Sequence, residues 1–359
     1  MRPATETTAN AGASHTELRS HAPDRTRRRE RGSAGRRRGW TVLKIVAMLI
    51  IGGLVVDKVL TILHPPPQVG RWKSVEAKAA YASAYDQAMA ALPDPTRTLD
   101  VQTDLGSVRV LEWEGSEPGP PVVLLPGRSS GAPMWIENLP DWIGERTVYA
   151  MDPLGDAGFS AQTVPLTSFD AQAEWIDQAL DGLAVDRAHI VGHSFGGASA
   201  AVFAVHHPAK VATLTLLEPV MVIEAMPASA FFWATILVLP VPQSMKDRAL
   251  AEIGGTTVEE VQERTPLSVM IDAASQGYAA ALPQPRRLTD DEWASLDMPM
   301  RVEIAGTKSL AGGQDAVDRI GEQCPQAVAT LWPDATHSLP MQEREVLGPA
   351  LADFWRSHS

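Results

Sequence analysis

The stretch Val191-Gly192-His193-Ser194-Phe195-Gly196-Gly197 joins two segments with different apolar patterns. Residues 188–191 before it are short, apolar and partly β-branched, a pattern typical of a buried parallel strand. Residues 198–207 after it are rich in alanine and end before a proline, which predicts a helix with a proline stop. Ser194 is therefore expected at a sharp turn from strand to helix, with glycines where a Cβ atom would crowd the turn.

This turn matches the Gly-x-Ser-x-Gly pattern of a nucleophile elbow, which presents a serine hydroxyl at the tip of a strand. The helix that follows directs its first N–H groups and its positive dipole end at the same point. The alternative interpretation is a glycine-rich turn whose serine has no chemical role. The strand and helix on either side favour the elbow.

Length and charge limit what the rest of the chain can be. With 359 residues, 45% of them hydrophobic, the chain can hold one large α/β domain and a tail, or two small domains. The first 40 residues carry ten arginines and four acidic residues, so the remainder has a formal charge of −18 within the overall −12. This acidic body argues against nucleic-acid binding by the globular part. The single cysteine, Cys324, excludes an intrachain disulfide and a four-thiolate metal site.

The N-terminal region predicts a membrane anchor. Residues 1–39 are rich in Arg, Ser, Thr, Ala and Gly without apolar periodicity, so we expect a disordered basic tail. Residues 40–63 are mostly apolar and, as a helix, are long enough to cross the ~30 Å hydrocarbon layer of a membrane. No small-residue cleavage site follows, which favours an uncleaved signal anchor over a removed signal peptide. A buried core helix is a further alternative, although the basic tail in front makes it less favourable.

Beyond this segment, strands and helices alternate. We expect a linker with a spacer helix over residues 64–98, and then a hairpin over 99–113. The alternation that follows implies an α/β fold with a mostly parallel sheet covered on both faces. The predicted strands are 122–125, 147–151, 188–191, 211–217, 300–304 and 328–332, and the predicted helices outside residues 219–299 are 75–92, 133–143, 169–183, 198–207 and 346–354.

Residues 219–299 interrupt this alternation and are punctuated by Pro and Gly. We interpret them as a helical cap inserted between two strands, over the carboxyl edge of the sheet, where ligands bind in open α/β folds. The apolar run Phe231-Phe232-Trp233 is a candidate lining for an acyl pocket. Packing within the cap or contact with a membrane would explain these residues equally well.

Four motifs follow one another along the chain: Leu125-Pro126-Gly127 with Trp135 downstream, Asp152-x-x-Gly155-x-x-Gly158-x-Ser160, the elbow around Ser194, and His337. In order and spacing they resemble the motifs of the α/β-hydrolase superfamily. The likeness covers about residues 99–356 and implies one α/β-hydrolase domain over 99–359 that includes the cap. The chain departs from the family pattern at Pro126, where most members have histidine.

The resemblance implies that His337 is the base that activates Ser194. His337 follows the last predicted strand at its C-terminal tip, where the family places this residue. The other histidines lie near the chain ends, at the end of the predicted membrane segment, at the far ends of the elbow strand and helix, or beside Ser194 with a different direction. A loop histidine without a chemical role is the alternative.

Two acids compete for the role of orienting the base. The family usually places an aspartate after the strand at 300–304, but residues 306–309 contain no carboxylate, and Asp315 comes six residues later. Some members instead use the tip of the strand after the elbow helix, where this chain has Glu218. We favour Glu218 because a residue at a strand tip reaches the base without a loop that folds back. A structural carboxylate at the entry to the cap is the alternative for Glu218.

The resemblance also implies two backbone N–H donors for a developing oxyanion, those of Phe195 and Arg128. We therefore expect a membrane-anchored serine hydrolase without metal or cofactor, an esterase for small or medium acyl esters that acts through an acyl-enzyme. An aminopeptidase or amidase of the same fold is the alternative among enzymes. A non-catalytic, membrane-tethered binding or scaffold protein is the alternative from another class.

The basic tail gives a prediction about topology. Because the arginines precede the apolar segment, the positive-inside rule places the N-terminus in the cytoplasm and the body outside the cell membrane. A reporter that is active only in the cytoplasm, fused after Ser359, should therefore be silent. The same fusion lacking residues 1–63 should be active, and an active full-length fusion would overturn the orientation.

Overall fold

The computed structural model describes residues 68–239 and 241–358. Its strands lie close to the predicted positions, and its helices cover the segments between them. The strands are β1 (Arg71–Trp72), β2 (Arg97–Thr103), β3 (Gly106–Trp113), β4 (Val122–Leu125), β5 (Val148–Met151), β6 (Ala161–Gln162), β7 (Ala188–His193), β8 (Val211–Leu217), β9 (Tyr278–Ala279), β10 (Met300–Ala305) and β11 (Val328–Trp332). The helices are α1 (Val75–Met89), α2 (Leu139–Trp142), α3 (Ala171–Gly182), α4 (Phe195–His206), α5 (Ala228–Val238), α6 (Gln243–Gly254), α7 (Val258–Gln262), α8 (Pro266–Gly277), α9 (Asp290–Ala294), α10 (Gln314–Gln323), α11 (Leu339–Gln342) and α12 (Arg344–Ser357), with 3₁₀ turns at Ala132–Trp135 and Pro208–Lys210.

One mixed sheet organises the described residues. Its strand order is β11-β10-β8-β7-β4-β5-β3-β2, and β6 pairs with β3. The six strands from β11 to β5 are parallel, as the alternation of strands and helices predicts. The hairpin of β2 and β3 runs antiparallel and adds an edge, so the sheet is mixed. Strand β7 lies between β4 and β8, which places the elbow at the middle of the sheet.

Strand β4 is apolar at every position because it is buried on both faces of the sheet. Val123 and Leu125 join the core on one face of the sheet, and Val122 and Leu124 join the core on the other. A strand buried on both faces needs apolar side chains at every position.

The helix predicted over residues 133–143 is wrong as a continuous element. The chain forms a 3₁₀ turn at Ala132–Trp135 and the short helix α2 at Leu139–Trp142. Pro140 explains the break, because it lacks an N–H group and its ring would clash with the carbonyl one turn earlier in a longer helix. Trp135 and Trp142 of this segment are buried in the core, with ring centroids 5.8 Å apart.

Helix α1 packs firmly against the body. Ser74 caps it by accepting a hydrogen bond from the Ala77 N–H at 3.1 Å. Tyr81 and Tyr85 are buried on its inner face, and the Tyr85 ring contacts Phe159 with centroids 4.8 Å apart. Just before the helix, β1 pairs antiparallel with β9, a strand of the inserted region. The helix that we expected as a spacer therefore packs into the core of the α/β body. The assignment of residues 64–98 to a separate linker segment stays a prediction.

The inserted region between β8 and β10 contains helices α5 to α9. Phe231 and Phe232 on α5 are 43% and 56% exposed. Trp233 contacts the Phe232 ring and lies 5.4 Å from the guanidinium carbon of Arg248. These contacts are on the surface of the inserted region, and a lining role for the three aromatics stays a prediction.

Within residues 68–239 and 241–358, none of the helices combines the length and apolar character that crossing a bilayer requires. The predicted anchor at 40–63 and the basic tail lie outside the described residues.

Burial of Tyr81 gives a prediction for stability. The side chain is fully buried, so Tyr81→Ala should lower the free energy of unfolding by about 3–5 kcal/mol, the range for large aromatic truncations. Val75→Ala on the same helix truncates a side chain that is 81% exposed. This variant should change the free energy of unfolding by less than about 0.5 kcal/mol. Denaturant unfolding of both variants measures the difference. Equal midpoints would show that α1 does not belong to the cooperative core.

Candidate active site

The turn at Ser194 has the strained backbone that an elbow requires. Ser194 connects β7 to α4 with φ 55° and ψ −119°, a backbone conformation that residues other than glycine rarely adopt. A Cβ atom at Gly192 would collide with the carbonyl of Gly196, and one at Gly196 would collide with the carbonyl of Leu125. The two glycines thus permit the tight passage from strand to helix.

The structure brings His337 to Ser194 across 143 positions of sequence. His337 follows β11, and its Nε2 lies 2.9 Å from the Ser194 Oγ. The strands before both residues are parallel in one sheet, so their carboxyl ends meet at the same edge. The His337 side chain is 8% exposed, which leaves the imidazole largely shielded from water.

Glu218 lies on the other side of the same imidazole. It directly follows β8, has φ 48° and is fully buried. Its Oε2 is 3.0 Å from His337 Nδ1. Because a carboxylate only accepts hydrogen bonds, Nδ1 carries the proton, and Nε2 is free to accept the hydrogen of the Ser194 hydroxyl.

Three further donors surround the Glu218 carboxylate. The Ala305 N–H and the Ser309 hydroxyl donate to Oε1 at 2.8 and 2.7 Å, and the Leu310 N–H donates to Oε2 at 2.9 Å. A buried negative charge needs such donors, since burial without them costs several kcal/mol. The turn at 306–309 therefore contributes a serine that holds Glu218, in the place where the family usually has its acid.

Asp315, the competing acid, lies elsewhere. It is exposed in the first turn of α10. It borders an open surface cleft of about 730 Å³ together with the charged side chains of Arg287 and Arg319. The carboxylate that contacts the imidazole is that of Glu218.

The two predicted oxyanion donors belong to segments that lie close to Ser194. Phe195 is the first residue of α4, where N–H groups have no acceptor within the helix. A Cβ atom added at Gly127 would stand 3.3 Å from the Ser194 Cβ, so the loop after β4 passes close to the nucleophile. Arg128 is the next residue of that loop. The use of these two N–H groups in catalysis stays a prediction.

His193 is a site residue whose contribution the sequence did not reveal. Its Nε2 lies 2.9 Å from the carbonyl oxygen of His337, so it donates a hydrogen bond that holds the loop of the base. Burial, with a smaller effect of the nearby His337, lowers the pKa of His193 to about 3. The ring is therefore neutral at physiological pH. The sequence showed that His193 is next to Ser194. It did not show that His193 would contact the His337 carbonyl across the edge of the sheet.

A buried aspartate supports the loop after β4. Asp152 accepts hydrogen bonds from the Ala132 N–H at 2.8 Å and the Phe159 N–H at 2.7 Å. Burial raises its pKa to about 6, although these two N–H groups act in the opposite direction. Asp152 begins the Asp-x-x-Gly-x-x-Gly-x-Ser motif, so this motif serves to hold the loop beside Ser194.

Comparisons with known proteins agree with this geometry. Residues 120–253 match a family model described as the alpha/beta hydrolase fold. Carboxylesterase YbfK of Bacillus subtilis is 22% identical over 289 residues, which cover 79% of this chain and 96% of that protein. The crystal structure of the same carboxylesterase superposes with a TM-score of 0.71 at 21% identity, over 78% of this chain and 99% of that one. The crystal structure of naproxen esterase from B. subtilis gives 0.72 at 21% identity, over 79% and 99%.

The strand order, the matched family model and the superposed crystal structures show that the chain has the α/β-hydrolase fold. This fold and the relatives named above support an esterase-like hydrolase.

The contact between Glu218 and His337 gives a prediction for activity. Glu218→Gln keeps the shape of the side chain but removes the charge that would stabilise a protonated imidazole. In a serine protease the analogous exchange of acid for amide lowers kcat by ~10⁴, and we expect a loss of several orders of magnitude here. Hydrolysis of p-nitrophenyl acetate measures it.

Asp315→Asn is the matched control and should leave kcat almost unchanged, because Asp315 borders a separate surface cleft. Circular dichroism should show that both variants are folded. A larger loss in Asp315→Asn than in Glu218→Gln would overturn the assignment of the acid.

Proposed function

We propose that the protein is a carboxylic-ester hydrolase that uses Ser194, His337 and Glu218 as a catalytic triad through an acyl-enzyme. The observation that carries this proposal is the continuous line of hydrogen bonds, 2.9 Å from Ser194 to His337 and 3.0 Å from His337 to Glu218. Such a line supplies a nucleophile, a general base and a group that orients the base.

In the acylation step, the Ser194 Oγ attacks the ester carbonyl carbon and His337 Nε2 takes its proton. The tetrahedral intermediate carries a negative oxygen, which the N–H groups of Phe195 and Arg128 stabilise. The C–O bond to the leaving group then breaks, and His337 returns the proton to the departing alcohol. Glu218 keeps its charge and stabilises the imidazolium while the proton resides there.

In the deacylation step, water takes the place of the alcohol. His337 removes one proton from the water, and the resulting hydroxide attacks the carbonyl carbon of the acyl-enzyme. Collapse of the second tetrahedral intermediate releases the carboxylic acid and restores the Ser194 hydroxyl with the proton from His337. Both steps use the same donors and need no metal or cofactor.

Small-molecule acyl esters are the substrate class that we favour over amides. The relatives named above are a carboxylesterase and a naproxen esterase, which supports ester substrates for the shared fold. We further propose that residues 40–63 anchor the enzyme in the cell membrane with the hydrolase body outside the cytoplasm. This location is supported by the apolar segment and the arginines before it.

Covalent labelling tests the proposed chemistry. A fluorophosphonate probe should label the enzyme, and Ser194→Ala should abolish labelling because it removes the only attacking oxygen of the triad. The mutation should also lower the hydrolysis of p-nitrophenyl esters by about 10⁶-fold, as loss of the nucleophile does in another serine hydrolase.

Ser199→Ala is a matched control, because Ser199 is a buried serine in α4 that bonds the Phe195 carbonyl at 3.0 Å. It should keep labelling. A series of p-nitrophenyl esters of increasing chain length, assayed beside aminoacyl-anilides, compares esters with amides. Faster cleavage of the anilides would make the protein an amidase, and absence of labelling would favour a non-catalytic role.

A further inference from the structure

The loop that carries Arg128 has an unusual backbone. Between β4 and the first 3₁₀ turn, Ser129 has φ 60° and Gly131 has φ 54°. Serine rarely adopts such a conformation, so contacts outside the loop must hold it. The loop also passes close to the nucleophile, because a Cβ atom at Gly127 would lie 3.3 Å from the Ser194 Cβ. A small shift of the loop would therefore move the Arg128 N–H relative to the reacting carbonyl.

The Asp156 carboxylate holds the strained residue directly. Its Oδ2 accepts a hydrogen bond from the Ser129 N–H at 2.7 Å, and its Oδ1 accepts one from the Ala157 N–H at 2.8 Å. Asp156 is 2% exposed. A short bond from an amide to a buried carboxylate is stronger than one between neutral groups. The bond to Ser129 acts one residue away from the predicted oxyanion donor.

The segment that carries Asp156 is itself fixed on two sides. The carbonyl of Gly155 accepts a hydrogen bond from the Ala281 N–H at 3.0 Å, and Ala281 belongs to the inserted region. On the other side, the Phe159 N–H donates to Asp152 at 2.7 Å. The segment from which Asp156 holds the loop is therefore itself held by hydrogen bonds on both sides.

The charge of Asp156 also matches its surroundings. Burial raises the pKa of Asp156, and the positive charge of Arg128 is the largest influence in the opposite direction, followed by the two N–H groups. The side-chain charge of Arg128 thus favours the ionised form of Asp156, and the backbone N–H of the same residue is the predicted oxyanion donor.

We propose that Asp156 is a positioning residue that keeps the Arg128 N–H aimed at the oxyanion, by holding Ser129 in its strained conformation. This inference rests on the proposed ester hydrolysis at Ser194. It assigns to Asp156 a task distinct from that of Glu218, because Asp156 acts on the oxyanion donor and Glu218 acts on the base.

Asp156→Asn tests the proposal. The amide keeps the shape of the side chain but has one acceptor oxygen for two N–H groups, so the hydrogen bonding that holds Ser129 weakens. We expect kcat for a p-nitrophenyl ester to fall roughly 10- to 100-fold, the range for a displaced catalytic group or a weakened oxyanion donor. KM should change little, because the donors act mainly on the transition state.

A thionoester substrate separates positioning from a general loss of structure. Its carbonyl sulfur accepts hydrogen bonds poorly, so the ratio of kcat/KM for the oxygen ester to that for the thionoester reports what the oxyanion donors contribute. The ratio should be high in the natural enzyme and lower in Asp156→Asn. A purely structural role of Asp156 would lower the rates for both substrates equally and leave the ratio unchanged.

Rates are compared per active site, counted by endpoint labelling with the fluorophosphonate, so that unfolded molecules are excluded. Glu303→Gln is the matched control: Glu303 is a fully buried acid that bonds Arg301 at 2.7 Å and Trp332 at 2.8 Å, away from the loop. Its ratio should equal that of the natural enzyme.

The outcomes separate the two proposals. An unchanged ratio in Asp156→Asn, in an enzyme that is labelled at Ser194 and cleaves esters, would overturn the positioning role alone. A natural enzyme that is neither labelled nor active would overturn the proposed function, and the positioning role with it.

Discussion

A buried negative charge at Glu218 is the constraint on which the arrangement of the site depends. An ionised carboxylate without water is costly unless the protein supplies donors, and four of them converge on Glu218, from Ala305, Ser309, Leu310 and His337. These donors come from the end of β10, the turn after it and the loop after β11, so the charge joins separate parts of the chain. The imidazole that completes the set then has one orientation, with Nε2 directed at Ser194.

Two strained residues lie close together around the nucleophile. The elbow has a strained serine, and the loop after β4 has a strained Ser129 beside it. Neither conformation is stable alone, and each is held by the elements around it. Gly127, Gly192 and Gly196 allow the backbones to approach, while the buried Asp152 and Asp156 anchor the loop through its N–H groups. The site is rigid because its strained parts are held by buried charges and by the central strands.

The family pattern is altered in this chain in a way that remains chemically consistent. The turn after β10 has Ser309 where an aspartate is usual, and the carboxylate comes from the tip of β8. Ser309 still participates, since its hydroxyl donates to Glu218 and also accepts the N–H groups of residues 311–313. In the proposed triad the acid thus comes from a different strand, and the turn after β10 contributes a donor to it.

The sequence by itself determined the elements and their order, because local patterns control them. Apolar runs such as 122–125 and 211–217 became strands with the predicted bounds, and Gly-x-Ser-x-Gly became a strand-to-helix turn. The prediction of one continuous helix was wrong at residues 133–143, because Pro140 interrupts it. Only the tertiary structure decided which acid contacts His337, since the competing positions differ by where a loop lies in space. It alone also revealed His193, Ser309 and Asp156, because each acts through a contact with a residue that is near only when the sheet has assembled.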